Sequence, residues 1–493
     1  MTGLRLHILI WLTLFSVVLA SGASAYAELP SASTKILPMV AEQSVSTFVP
    51  SYSAPEKGLA VNIIYPEKPR YKDGAPVAVV VPGGDTANGL NFCIHAAQAG
   101  FVEIRFAFPG GGTKVFKSSG KLDARGNYSQ IALRDIILFA MGQGKDYRDR
   151  TISELVPVKI NPANVGLVGW SNGGNIALVT MDKYADLFQS LGWAAFYESP
   201  LGPLFFPSSL GSVNDLLPNR HYRQGSAAAG RCLIDFRKLA YDPDVSRNAG
   251  LNKKLGLVEL PGVVYFDENG NKKWDEATEY AFNYAQDPDI GKQIYPPEVT
   301  DALERHKVFL KGWPATIADL KTSEAFFQER DGSACIPSVC TKYPQLLVTV
   351  FGSHVDHLQR QPDHPHIVMQ YNSWLENGAH WVRLNPEPIY LGQMANMNVR
   401  NFVSNKPNEP IDASAIADHL EPEGMLKDYV FIDAAIAELA DRKRANNLNS
   451  PLDAPIITYT NGLPIPPLAS ASTGGQSKSG EGISKTDKSA TKE

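Results

Sequence analysis

The stretch Asn164-Val165-Gly166-Leu167-Val168-Gly169-Trp170-Ser171-Asn172-Gly173-Gly174 decides how this chain is read. Val165–Val168 is an apolar run with no polar break, the pattern of a strand buried on both faces. From Gly174 to about Tyr184 the spacing is helical. Only a sharp turn fits between the two, and Ser171 sits at its tip. A serine hydroxyl is a useful nucleophile when it is exposed, oriented and beside a base. A strand-to-helix turn lifts it above the sheet edge, and the glycines two positions either side keep its neighbours small. The helix points its amino end at the serine, so N–H groups and the helix dipole favour negative charge there. Ser171 is the expected nucleophile, and the N–H of Asn172 an expected oxyanion donor.

The same alternation extends outward on both sides. Val61–Tyr65, Pro76–Val81 and Phe101–Phe108 read as strands, with helical stretches at 91–100 and 128–141. Trp193–Tyr197 reads as the strand after the Ser171 helix. Strand and helix at this spacing predict a mostly parallel, doubly wound α/β sheet covered on both faces. The rhythm stops over 201–343, which is rich in Pro, Gly, Asn and Asp. It resumes with strand 345–351, helix 367–377, strand 381–384 and an amphipathic helix carrying Tyr429, Ile432, Ile436 and Leu439 on one face.

The domain organisation follows: 1–25 a signal peptide, 26–58 an N-terminal extension, 59–200 the first part of the core and 201–343 a large inserted cap. Residues 344–445 are the second part of the core, and 446–493 a C-terminal extension whose Ser-, Gly- and Lys-rich tail cannot bury a core. Arg5, the apolar run His7–Ala20 and Ala23-Ser24-Ala25 have the form of a cleavable export signal. That run is short of the ~20 residues that span a bilayer. The expected location is therefore secreted or periplasmic, with no stable membrane span once the signal is cleaved. A net charge of −5 with both signs mixed argues against nucleic acid as a partner. Export permits disulfides, and Cys335 and Cys340 are close enough in sequence to pair; Cys93 and Cys232 have no local partner.

On the Gly169–Gly173 turn and its flanking elements, the chain resembles the α/β-hydrolase superfamily from Val61 to about Arg442, the insertion excluded. The resemblance implies a secreted serine hydrolase acting through an acyl-enzyme, with a small-molecule or peptide acyl substrate. An esterase is the first expectation, a peptidase of the same fold the second. A non-catalytic binding protein on a hydrolase scaffold is the non-enzymatic alternative. The resemblance also implies a second oxyanion donor in the loop after Pro76–Val81, at Gly84 or Asp85, where glycine lets backbone approach a substrate oxygen. The family's acid follows a later strand, which places it at Asp356, with Asp363 as the alternative. Its base falls at His419, although about thirty residues separate that histidine from the strand end. His357, His354 and His95 are the other candidates.

Two metal readings stand beside these. His354, Asp356 and His357, with His364 and His366 nearby, form a possible zinc set. Asp267, Asn269, Asn271, Lys273 and Asp275 place oxygens at alternating loop positions, as in an EF-hand, with Glu276 or Glu279 closing the loop. Lys272 stands where that pattern has glycine, and Glu279 falls one position late. The expectation is structural calcium and no cofactor for catalysis. Phe205, Phe206, Trp274 and Trp313 of the insertion are candidates for lining an apolar pocket.

Overall fold

The computed structural model describes residues 42–84, 89–90, 94–199, 210, 217–226, 232–246, 260–352, 364–384 and 430–446. Eight strands form one sheet: β1 (Glu42–Ser51), β2 (Ala54–Pro66), β3 (Ala75–Val81), β4 (Val102–Phe106), β5 (Ile160–Trp170), β6 (Leu191–Tyr197), β7 (Leu347–Phe351) and β8 (Trp381–Leu384). Their spatial order is β1-β2-β4-β3-β5-β6-β7-β8. β2 is antiparallel to both its neighbours. Every pair from β4 across to β8 is parallel. All residues of β3 and β6 are buried, which is why both read as continuous apolar runs rather than alternating ones.

Besides a single turn at Ile152–Leu155, the described α-helices are α1 (Asn127–Ala140), α2 (Asn172–Lys183), α3 (Pro297–Arg305), α4 (Leu320–Gln328), α5 (Ile336–Lys342), α6 (Pro365–Glu376) and α7 (Val430–Ala445). One face of the sheet meets α1, α2, α5 and α6, with Phe139, Ile176, Ile336 and Tyr371 packed against Val79, Leu167 and Val350. The other face meets α7 and a short 3-10 turn at Ala96–Ala99, with Ile432, Ile436 and Leu439 against Val168, Trp193 and Trp381. Within 201–343, the hairpin Leu239–Asp242/Val263–Phe266 and α3 share a separate core around Phe266, Phe282, Tyr295 and Leu303.

The sheet begins earlier than the sequence suggests, since β1 and the start of β2 lie inside the stretch read as an N-terminal extension. β1 is an edge strand with its first three residues exposed, so it carries little apolar signal. The core also resumes early: α5 packs Ile336 and Val339 into the main cluster ahead of residue 344. Of the helix expected at 91–100, the described part is the 3-10 turn, ended by Gly100 at φ 88. Cys335 and Cys340 are free thiols and not a disulfide. They flank the start of α5, where five residues turn side chains about 140° apart. Burial pushes Cys335 up to about 12 and Cys340 up to about 11, which suppresses thiolate formation.

The connections out of β3 and β5 diverge. The chain leaves β3 toward β4 on one side and leaves β5 toward β6 on the other, although β3 and β5 are hydrogen-bonded neighbours. Such a point opens a crevice at the carboxyl ends of the strands, where open α/β sheets bind ligands.

Candidate active site

Both loops that border this crevice carry expected site residues. Ser171 follows β5 directly and forms the N-cap of α2 at φ 48, ψ −127. That conformation is costly for a residue with a Cβ and persists only where the surroundings impose it. Here they do. The Ser171 N–H donates to the Tyr197 carbonyl at the end of β6, and the Ser171 carbonyl accepts the Gly174 N–H. Trp170 lies against the Tyr197 ring at 4.0 Å between centroids. Gly173 is needed for close approach, because a Cβ there would sit 2.1 Å from the Val81 carbonyl oxygen. The serine is 5 % exposed, buried rather than on open surface. Asn172 begins α2, so its N–H is one of the unpaired donors at the helix start.

The loop after β3 lies beside the serine. A Cβ on Gly83 would come within 2.9 Å of the Ser171 Cβ and 2.7 Å of the Trp170 carbonyl oxygen, so only glycine lets this backbone come so close to Ser171. Gly84 has φ 69. Its carbonyl accepts from the Asn172 side-chain amide at 3.2 Å, which ties the two loops together. The structure thus brings Ser171, Asn172 and Gly84 into one place. Asp85, Asp356, Asp363, His354, His357 and His419 lie outside the described residues.

The described histidines have other surroundings. His95 caps the 3-10 turn, and its backbone N–H donates to Asp433 on α7. His364 is buried at the N-cap of α6 with φ 39, and His366 is buried in its first turn. Among the described residues no group of three or more His, Cys, Asp or Glu could hold a metal ion. One residue escaped the sequence reading. Glu198 follows β6 at the same sheet edge as Ser171, 3 % exposed and at φ 40. A carboxylate beside Ser199 and Pro200 carries no motif that would single it out.

The loop at 267–279 is ordered by its own oxygens. Asp267 accepts the N–H groups of Gly270 and Lys272, Asn269 that of Asn271, Asn271 that of Lys273, and Asp275 that of Ala277. Lys272 adopts φ 60, the turn that glycine supplies at this position of an EF-hand loop. Glu279 is buried and accepts the N–H groups of Glu268 and Asp275, whereas Glu276 points to solvent. Trp274 packs with Val263 and Tyr265, and Trp313 against Phe309 with 37 % of its surface exposed. Phe205 and Phe206 lie outside the described residues. A cavity of about 520 Å³ opens in the insertion, lined by Leu233, Phe236, Glu298, Val299 and Arg305.

The mostly parallel eight-stranded sheet, with its G-x-S-x-G turn between β5 and α2 and helices on both faces, defines an α/β-hydrolase fold. No family profile matches the sequence, and no curated protein matches it. Among solved structures, the chain is similar to a highly thermostable carboxyl esterase from Bacillus coagulans, at 13 % identity over 82 % of this chain and 98 % of that one, with a TM-score of 0.35. It is similar to a bacterial heroin esterase at 16 % identity over 38 % of this chain and 53 % of that one, TM-score 0.26. A prolyl endopeptidase matches at 16 % identity over 34 % of this chain, TM-score 0.25. The chain spans about half the length of the heroin esterase and 22 % of the prolyl endopeptidase.

Proposed function

We propose that this protein is a serine hydrolase that cleaves esters through an acyl-enzyme formed on Ser171. One observation carries the reading: Ser171 is held at a strained positive φ between β5 and α2, where the β3 and β5 connections part. Strain of this kind needs a use, and holding a serine hydroxyl at an anion-favouring helix start is one. In this mechanism His419, oriented by Asp356, takes the hydroxyl proton as Ser171 attacks the carbonyl carbon. The oxyanion rests on N–H groups of Asn172 and the Gly84–Asp85 loop. The imidazolium returns its proton to the leaving alcohol, and water then attacks the acyl-enzyme by the same route. A peptidase on the same machinery is the second reading.

Labelling with a fluorophosphonate tests it. A covalent adduct on Ser171 is expected, absent in Ser171→Ala and slowed in His419→Ala. Folded protein that takes no label would instead be a binding protein on this scaffold. We further propose that residues 1–25 are a cleaved export signal and that the protein is secreted or periplasmic, which N-terminal sequencing of the mature protein checks. We also propose that loop 267–279 holds a structural calcium ion. The side-chain oxygens of Asp267, Asn269 and Asn271 each accept one N–H and keep a second lone pair for a cation. A chelator should lower the melting temperature, and calcium should restore it.

A further inference from the structure

Resting on the reading of Ser171 as nucleophile, we propose that Arg125 is the positioning residue of the oxyanion site, gripping three successive carbonyls so that the loop's N–H groups face the serine. The Arg125 side chain is buried, and its guanidinium donates to the carbonyl oxygens of Pro82 at 3.1 Å, Gly83 at 2.7 Å and Gly84 at 3.0 Å. A trans peptide is planar, with its N–H opposite its C=O. Carbonyls drawn to the guanidinium therefore turn the N–H groups of Gly83 and Gly84 away from it. Successive N–H groups presented in this way form an anion-binding concavity, and Gly84 at φ 69 supplies the left-handed residue such a turn requires. Asn172 reinforces the grip from the other side through the Gly84 carbonyl.

Arginine suits this task because its donors lie in one rigid plane, which an ammonium cannot imitate. The Phe108 ring lies 3.8 Å from the guanidinium carbon and fixes that plane. The backbone behind it is unusual too. Ala124 and Arg125 are consecutive non-glycine residues with positive φ, 47 and 69. Arg330, just beyond α4 and itself buried, secures this turn by donating to the carbonyls of Asp123 at 2.8 Å and Ala124 at 2.9 Å. The Asp123 carboxylate anchors it from below, accepting the Tyr128 and Ser129 N–H groups at the start of α1. A line of contacts thus runs from the insertion through Arg330 and Arg125 to the nucleophile.

The experiment uses the full-length protein with p-nitrophenyl butyrate, a fluorophosphonate label and butylboronic acid as a mimic of the tetrahedral intermediate. Arg125→Met should lower kcat by about 10²-fold, the loss typical of one missing oxyanion donor, with little change in KM. Boronate affinity should fall in parallel with kcat/KM, which a merely structural role would not produce. Arg125→Lys should not rescue. If Arg125→Met does not fold, Arg330→Met leaves Arg125 in place and frees the turn behind it, and kcat should fall by about 10-fold. Wild-type kcat and boronate affinity in the folded variant overturn the proposal. Should wild-type protein take no label at Ser171, the underlying reading fails and the role of Arg125 goes with it. Labelled wild type with an unimpaired Arg125→Met sinks the positioning role alone.

Discussion

The two faces of the sheet are covered by different chemistry. Against one, α1, α2, α5 and α6 place mainly apolar side chains such as Phe139, Ile176, Ile336 and the Tyr371 ring. Against the other, α7 brings Ile432, Ile436 and Leu439 together with small residues (Ala435, Ala437, Ala440) and buried ionisable groups. Glu438 accepts from Arg442 at 2.8 Å and lies 3.4 Å from Arg383 of β8. Asp441 pairs with Arg70 at 2.7 Å and accepts the Tyr71 hydroxyl at 2.6 Å. Asp433 accepts the His95 N–H, near Glu103 of β4, which is paired with Arg105 at 2.6 Å. Apolar packing is non-directional and roughly proportional to buried area. Ion pairs are satisfied in one register only. The comparison suggests that the first face supplies bulk stability and the second fixes where the last helix lies.

The sharpest test is unequal damage. Phe139→Ala on the apolar face should cost about 3–5 kcal/mol in urea unfolding, for the lost burial and the cavity left behind. Glu438→Gln removes the carboxylate that Arg383 and Arg442 share and should cost about 3 kcal/mol. The third test uses pH. Burial pushes Glu103 up to about 7, with Arg105 opposing, and burial with the nearby Glu103 charge raises Asp433 well above the usual carboxylate range. Folding therefore favours the protonated acids. Their contribution is whole below the unfolded value near 4.5, shrinks as pH rises, and is lost above about 7 for Glu103. That gap corresponds to about 3 kcal/mol at most. Urea melts from pH 5 to 8 should show it, and Glu103→Gln should flatten the decline. The smallest expected change comes from replacing Arg383, Glu438 and Arg442 together with Met and Leu. Net stability should move by only about 1 kcal/mol, while amide exchange in α7 quickens if charge fixes its register. A large loss there would erase the distinction between the faces.

What the sequence revealed follows the same division. The β5–Ser171–α2 turn is legible because the apolar period changes abruptly across two glycines, and β8 was read to the residue. β1 was not, since an edge strand with exposed Glu42, Gln43 and Ser44 looks like a linker. Arg125 left no trace because its partners are carbonyls, which every residue has. The polar layer under α7 was hidden for another reason: Glu103 and Asp433 lie far apart in the chain, and no local spacing joins them. Family order, and not local chemistry, points to His419 and Asp356, and both lie outside the described residues.

Arg70 and Asp441 are 371 residues apart, and Arg444 reaches back to Asp73 in the same loop. A ribosome has made nearly all of the fold before the segment that completes it emerges. Until then Val168, Trp193, Leu347 and Trp381 lack the cover that α7 provides, an apolar surface open to other chains. A chain cut short before residue 430 would keep that surface uncovered.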